Sequence, residues 1–194
     1  MNLSYYIFNK PFQVLSQFTP IDDKKCLRDF INIPHIYSCG RLDYDSEGML
    51  LLTNDGSFIN RITDPQHKLP KVYLAQVEGE VSPEALAQLE QGVMIEDKMT
   101  LPAQACLYQG ADQIPKRDPD IRYRKDIPTS WIKLTIYEGR NRQVRKMTAK
   151  VGHPTLRLIR YAMGNLNIKN MEPGELRELT KADLSNLFQK KLSQ

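Results

Sequence analysis

The sequence predicts an α+β protein with a mixed, largely antiparallel sheet and flanking helices. Two observations lead to this prediction. Segments rich in β-branched and aromatic residues alternate between apolar and polar positions, as strands do. Short amphipathic segments with capping residues separate them at irregular intervals, unlike the regular alternation of a parallel α/β fold. A chain of 194 residues is long enough for one buried core and short for two independent domains, so we expect a single domain.

The strands are predicted in chain order from their ends and their polarity. The first covers 5–10 and ends at Pro11, which holds Lys10 extended and cannot continue a helix. The continuous apolar run at 49–53 lies between Gly48 and an Asn-Asp-Gly turn, which is typical of a buried strand. Alternating segments predict the remaining strands, at 71–81, 103–108, 131–137 and 155–161.

The helices are predicted from caps and apolar faces. They cover 57–63 and 141–151. A third begins after Ser82, where Pro83 suits the first turn, and a fourth begins after Thr180, which forms a capping box with Asp183. Gly152 suits the position that follows a helix, because glycine accepts a left-handed conformation there. Residues 109–130 contain three prolines and crowded charges, so we expect a flexible loop.

Composition favours a cytoplasmic protein. Hydrophobic residues make up 41% and charged residues 26% of the chain, and no apolar run approaches the roughly 20 residues that span a bilayer. The N-terminus lacks the basic start and apolar stretch of a signal peptide. Three scattered cysteines without a CxxC pair favour reduced thiols over a disulfide framework or a zinc site. We therefore expect neither a membrane segment nor a bound metal.

The formal net charge is +4, but the basic residues are concentrated in one stretch. Residues 139–160 contain no acidic side chain and seven basic ones: Arg140, Arg142, Arg145, Lys146, Lys150, Arg157 and Arg160. A concentrated basic stretch on a neutral-to-acidic chain favours a polyanion site. A solvated helix face is the alternative.

An acidic segment precedes the buried strand predicted at 49–53. Asp43, Asp45 and Glu47 lie within five residues, between two glycines. Catalytic groups are often placed on a loop beside a rigid scaffold, although an acidic turn has the same composition. A calcium-binding loop is excluded, because Asn54 stands where a bidentate glutamate is needed.

A second motif, EGRNRQVRKM at 138–147, lies where a predicted strand leads into a predicted helix. The amide groups of a helix N-terminus and clustered arginines together form a good phosphate cradle. Arg140, Arg142 and Lys146 are therefore candidate phosphate-binding residues, with a basic solvated helix as the alternative. A third segment, Lys71-Val72-Tyr73, decides nothing alone, because a tyrosine at a strand start is usually a packing residue.

These motifs, together with Asn9-Lys10-Pro11, occur in the order found in the RsuA family of ribosomal RNA pseudouridine synthases, which the chain resembles from about residue 5 to residue 179. The resemblance implies the pseudouridine synthase fold, with two subdomains flanking a central catalytic cleft. It implies isomerisation of a uridine in ribosomal RNA, most readily the large-subunit 23S rRNA, by a monomer without a cofactor. Many relatives carry an S4-type RNA-binding domain, for which we expect no room in this chain.

The resemblance also implies roles for single residues. Asp43 matches the catalytic aspartate, Arg145 its basic partner, and Tyr73 the tyrosine that packs on the target base. Arg41 matches an arginine that assists base extrusion, and Lys10 belongs to the lysine-proline turn, where we expect it to bind substrate. Two other functions remain open: a synthase that acts on tRNA, and a non-catalytic RNA-binding protein of ribosome assembly.

Overall fold

The computed structural model describes residues 2–121 and 127–188 of the chain. Its strands are β1 (Tyr5–Lys10), β2 (Tyr37–Ser38), β3 (Glu47–Thr53), β4 (Lys71–Glu78), β5 (Met94–Ile95), β6 (Lys98–Met99), β7 (Gln104–Leu107), β8 (Thr129–Ile136), β9 (Thr155–Met163), β10 (Leu166–Asn167) and β11 (Leu176–Glu178). Its α-helices are α1 (Gly56–Thr63), α2 (Pro83–Gln91), α3 (Gln143–Lys150) and α4 (Lys181–Leu187).

The chain divides into two compact units. The first comprises the described residues of Met1–Leu69 and Arg160–Gln194, and the second comprises those of Pro70–Ile159. Strand β9 begins in the second unit and ends in the first. The single catalytic domain with a central cleft stays a prediction.

In the first unit, β1 pairs with both β11 and β3 in antiparallel register. Every residue of β3 is buried, as its continuous apolar run predicts. Phe8 of β1 and Leu50 of β3 are opposite each other and belong to a core cluster that also contains Leu27. Helix α1 follows β3 directly, and the Asp55 side chain caps it by accepting hydrogen bonds from the amides of residues 57 and 58.

In the second unit, β8 lies between β4 and β7, and both pairings are antiparallel. Ser82 caps α2 through the amide of Ala85, as the Ser-Pro pair predicts. The buried faces of α2 and α3 supply Leu89 and Met147 to the core cluster on β4 and β8. Gly152 has a φ of +88° just after α3, which confirms the predicted left-handed position.

The antiparallel pairings confirm the predicted fold class, and all six predicted strands and all four predicted helices are present. The sequence did not indicate β2, β5, β6, β10 and β11, because two or three residues are too few to show periodicity. Part of the loop predicted at 109–130 is held in place, since Arg157 Nη2 donates to the Pro115 carbonyl oxygen at 3.0 Å. Residues 122–126 lie outside the described residues, and the loop's flexibility stays a prediction. No described helix is both long and apolar enough to cross a membrane.

Candidate active site

Asp43 lies on the loop between β2 and β3 in the first unit. Its side chain is half-buried, and its carbonyl oxygen accepts a hydrogen bond from the Ser46 amide at 3.1 Å. Gly48, the second residue of β3, has a φ of +102°, and a Cβ atom there would collide with the backbone of Arg160. Only glycine combines that conformation with so close an approach of another strand. The predicted acidic loop therefore joins a strand whose position is tightly constrained.

Lys10, the last residue of β1, has no solvent-exposed surface. Its ammonium group donates to the carbonyl oxygens of Pro11 at 2.9 Å and Val14 at 2.8 Å. Burial lowers the pKa of Lys10 to about 7, and the charges of Glu47, Asp45 and Asp43 oppose that shift. The contact of Lys10 with RNA stays a prediction, and its burial favours a role in holding the loop that follows β1.

Two charged residues near Lys10 were not among the predicted site residues. Glu47 is 6% exposed, and Arg160 is 5% exposed with its Nε atom donating to the Met49 carbonyl oxygen at 2.8 Å. Arg160 acts on Lys10 electrostatically and lowers its pKa further. Glu47 is the third carboxylate of the acidic segment and Arg160 is the last residue of the basic stretch, but the charge pattern alone gave neither residue a role in the site.

The basic stretch at 139–160 is not one continuous surface. Arg157 and Arg160 are buried on β9, at 7% and 5% exposure, so these two are not part of an exposed basic face, and the polyanion site stays a prediction. The physical reason is that both side chains enter the interior and donate to backbone carbonyls, those of Pro115 and Met49. Charge alone did not distinguish an arginine on a buried strand from one on an exposed helix.

Arg41 is exposed, and its contact with the side chain of Gln17 is long, at 3.4 Å between Nη2 and Oε1. Such a contact leaves the guanidinium within reach of a ligand at the loop surface. The role of Arg41 in base extrusion stays a prediction, and its exposure is compatible with that role.

Tyr73 is the third residue of β4 in the second unit, opposite Leu134 of β8. It is 9% exposed and belongs to the same core cluster as Val144 and Met147 of α3. The ring therefore has a fixed environment on a rigid strand. Its stacking on a flipped uracil stays a prediction.

Arg145 lies in the first half of α3 and is half-buried. Its Nη1 atom donates to the Thr155 carbonyl oxygen at 3.3 Å. The hydroxyl groups of Thr155 and Thr148 are 2.7 Å apart, which ties the start of β9 to α3. The Arg145 side chain is therefore held by a backbone carbonyl group of the same unit.

A hydrogen-bond network fixes the turn that leads into α3. Gln143 is 3% exposed; its Oε1 atom accepts from the Arg140 amide at 3.0 Å and its Nε2 atom donates to Glu138 at 2.6 Å. Arg142, between them, has a φ of +50°, a conformation that costs a non-glycine residue energy. The EGRNRQ segment is therefore a defined turn that sets where α3 begins.

Two of the predicted phosphate-binding residues contact a hairpin formed by β5 and β6. The Arg140 guanidinium donates to the carbonyl oxygens of Ile95 at 2.6 Å, Lys98 at 3.2 Å and Met99 at 3.4 Å. The ammonium group of Lys146 lies 2.5 Å from Glu96 Oε1. Contacts of Arg140, Lys146 and the exposed Arg142 with RNA stay predictions.

The first unit thus brings Asp43 together with Lys10, Asp45, Glu47 and Arg160, while the second unit contains Tyr73 and Arg145 with the turn that precedes α3. Within residues 2–121 and 127–188, no three His, Cys, Asp or Glu side chains are grouped so that they could hold a metal ion. The family described as RNA pseudouridylate synthase matches residues 4–150, which include the acidic loop and the whole of α3. The chain belongs to this family.

RNA pseudouridylate synthases are isomerases that convert uridine in RNA to pseudouridine, and their named members include close relatives of this chain. Ribosomal large subunit pseudouridine synthase E of Vibrio vulnificus (strain CMCP6) is 49% identical over 90% of this chain and 74% of its own length. The enzyme of the same name from Xanthomonas axonopodis pv. citri (strain 306) is 49% identical over 86% of this chain and 89% of its own. Ribosomal large subunit pseudouridine synthase B of Bacillus subtilis (strain 168) is 40% identical over 94% of this chain and 70% of its own length.

Solved structures agree with the family assignment. A pseudouridylate synthase crystal structure has a TM-score of 0.77 and 30% identity, and the match covers 96% of this chain and 74% of the other. Human RNA pseudouridylate synthase domain containing 1 has a TM-score of 0.57 at 16% identity, over 91% of this chain and 78% of the other, which supports the fold alone. The predicted pseudouridine synthase fold is confirmed.

Proposed function

We propose that this chain isomerises a uridine of large-subunit ribosomal RNA to pseudouridine, with Asp43 as the catalytic carboxylate. One observation carries the choice of substrate. Relatives named ribosomal large subunit pseudouridine synthase E are 47% to 49% identical to it over at least 86% of the chain. The proposed substrate is therefore inferred from the names of the relatives. The proposed residue roles are inferred from the sequence motifs and from the structural surroundings of each residue.

The reaction breaks the N1–C1′ bond of uridine and forms a C5–C1′ bond after the base turns. The C5 proton leaves to solvent and N1 takes up a proton, so the product is an isomer and no electrons are exchanged. Asp43 either attacks as a nucleophile or removes a proton from the sugar, and both roles require the ionised carboxylate. A loop joined to a buried strand suits this role, because the carboxylate is held while the RNA remains accessible.

Arg145 and Tyr73 complete the proposed site. A guanidinium beside Asp43 would keep the carboxylate charged and oriented through forked hydrogen bonds. The Tyr73 ring would provide a stacking face for the flipped uracil. Both residues lie on elements fixed by the core of the second unit, which supports positioning roles that need rigid side chains.

Replacing Asp43 by Asn tests the catalytic role. Asp43→Asn should lower isomerisation by about 10²- to 10⁴-fold or more, because an amide is neither a nucleophile nor a base. RNA affinity and thermal stability should change little, since the two side chains have the same shape. The rate is measured as tritium released from RNA labelled at C5 of uridine, with contaminating synthase excluded by using a deletion host.

Asp45→Asn is the matched control, because it makes the same change in the same half-buried loop two residues further on. It should retain most of the activity. Turnover by Asp43→Asn at a tenth of the native rate, or equal losses in the two variants, would remove Asp43 from its catalytic role.

The substrate is tested in cells. Mapping of pseudouridine in total RNA, with and without the gene, should show one site lost from large-subunit rRNA and restored by the native gene but not by Asp43→Asn. Loss confined to tRNA would contradict the proposal.

The proposal also includes a cytoplasmic monomer. Light scattering of the purified protein should give the mass of one chain.

A further inference from the structure

Ser16 lies in the segment between β1 and β2, outside every motif described above. It is 4% exposed. Its hydroxyl group donates to the Leu42 carbonyl oxygen at 2.9 Å and accepts from the Leu42 amide at 3.1 Å. One hydroxyl can make both bonds, since it has one donor and two acceptor lone pairs. A single side chain therefore binds both backbone groups of the residue immediately before Asp43.

These two bonds define the backbone that carries the Asp43 side chain. The Leu42 amide belongs to the peptide plane shared with Arg41, and the Leu42 carbonyl belongs to the plane shared with Asp43. Peptide groups are planar, so fixing both planes fixes the two soft dihedral angles of Leu42. The direction in which the chain enters Asp43 is set in this way. Leu42 is itself 7% exposed, so water does not readily replace the hydroxyl.

The segment that carries Ser16 is itself held on both sides. The Leu15 amide donates to the Lys25 carbonyl oxygen at 2.8 Å, and the Gln17 carbonyl oxygen accepts from the Leu27 amide at 2.9 Å. A second bond to the acidic loop runs from the Gln13 amide to the Tyr44 carbonyl oxygen at 2.9 Å. Ser16 is thus a fixed support and not a side chain on a free loop.

We propose that Ser16 is a positioning residue that orients Asp43 for isomerisation by clamping the backbone of Leu42. The inference rests on the proposed catalytic role of Asp43. Ser16 does not touch the substrate in this scheme, and it acts only through the geometry of the loop. Because small displacements of a reacting group reduce rates strongly, loss of the clamp should affect the chemical step more than RNA binding.

Ser16→Ala removes the hydroxyl without adding volume. We expect kcat to fall by about 10- to 100-fold, with KM for the RNA within about twofold of the native value. The amide of Leu42 should also exchange its hydrogen faster in the variant, which reports on the clamp independently of activity. Rates are measured at a temperature well below the thermal unfolding midpoint of each protein, so that the folded native protein is compared with the folded variant.

Thr53→Val provides the matched control. The Thr53 hydroxyl also makes a donor and an acceptor bond to backbone, to the Ser4 carbonyl oxygen at 2.7 Å and from the Asp55 amide at 3.0 Å. It is fully buried in the same unit, at the other end of β3 from the acidic loop. The valine substitution should lower the thermal midpoint as Ser16→Ala does, while kcat stays within about twofold of native.

The outcomes separate this inference from the proposed function. If Asp43→Asn is inactive and Ser16→Ala keeps native kcat, the positioning role is wrong and the function stands. Equal losses of kcat in Ser16→Ala and Thr53→Val would likewise overturn it, because general destabilisation would then explain both. If Asp43→Asn is active, the role of Asp43 fails and the inference fails with it.

Discussion

Lys10 carries its ammonium group into the interior of the first unit, where two backbone carbonyls accept its hydrogen bonds. Three carboxylates of the acidic loop act on it electrostatically, as does Arg160. Desolvation is the largest cause of its pKa shift, so burial disfavours the charged form more than the carboxylates favour it. The protonation of such a lysine changes with pH near neutrality, whereas a lysine at the surface stays protonated there.

The stability of the protein should therefore depend on pH through Lys10. Its pKa is lowered to about 7 in the folded protein and is about 10.4 in an unfolded chain. Between these values the unfolded chain binds a proton that the folded protein has released, so the free energy of unfolding rises with pH. From pH 7 to 8.5 the contribution should be about 1–2 kcal/mol, measured by urea unfolding.

Lys10→Met should lack that rise, whatever its absolute stability, because methionine does not titrate. The range stops at pH 8.5 because burial raises the pKa of the Cys39 thiol to about 12, which makes stability fall as the unfolded thiol ionises at higher pH. An equal rise in the native protein and in Lys10→Met would assign the pH dependence to other groups.

Arg145 is the residue at which charge and geometry can be separated. Arg145→Ala should reduce turnover severely, because Asp43 would lose its proposed cation. Arg145→Lys should retain part of the activity, since it keeps the charge without the fork. Single-turnover rates of both variants on the same RNA provide the comparison. Equal losses would mean that the fork matters more than the charge, and native rates in both would remove Arg145 from the site.

At the scale of elements, the turn before α3 connects the helix with the β5–β6 hairpin and with the segment at Leu101. Glu138 Oε1 accepts from the Leu101 amide at 2.9 Å as well as from Gln143, and Arg140 binds the carbonyls of the β5–β6 hairpin. The EGRNRQ motif therefore specifies a turn and its anchors in addition to any RNA contact. Arg142 is the exposed basic residue at the start of the helix, where the dipole and amide groups favour anions.

RNA binding should consequently depend on Arg142 more than on Lys146. Arg142→Ala should reduce the slope of log affinity against log salt by about 0.7–0.9, the value for one phosphate contact. Lys146→Ala, the control within α3, should reduce it by less, because Lys146 is half-buried and lies about one turn beyond the helix start that favours anions. Binding to the target RNA and to an unrelated RNA, across about 50 to 300 mM salt, should show similar changes. Equal reductions would mean that Lys146 leaves Glu96 to bind phosphate.

At the scale of the whole molecule, local signals were sufficient to predict most of the elements. The apolar run at 49–53, the Ser82-Pro83 start, the Thr180–Asp183 capping box and Gly152 each encode their structure within a few residues, and each prediction is confirmed. The same holds for the family, because its motifs are continuous segments in a fixed order. These features depend on backbone conformation and on neighbours in the sequence, which a linear pattern contains.

Burial and long-range pairing were decided only by the tertiary structure. Ser16 meets Leu42 across 26 residues, Arg140 meets Ile95 across 45, and Arg160 meets Met49 across 111. Basic residues look alike in the sequence, yet Lys10 and Arg160 are buried while Arg142 is exposed. Which side a residue faces depends on strand register and on the segment packed against it. The sequence by itself determined the longer strands, the helices, the motifs and the family. The tertiary structure decided which charges are buried and what holds the loop of Asp43, because those contacts form only when distant segments pack together.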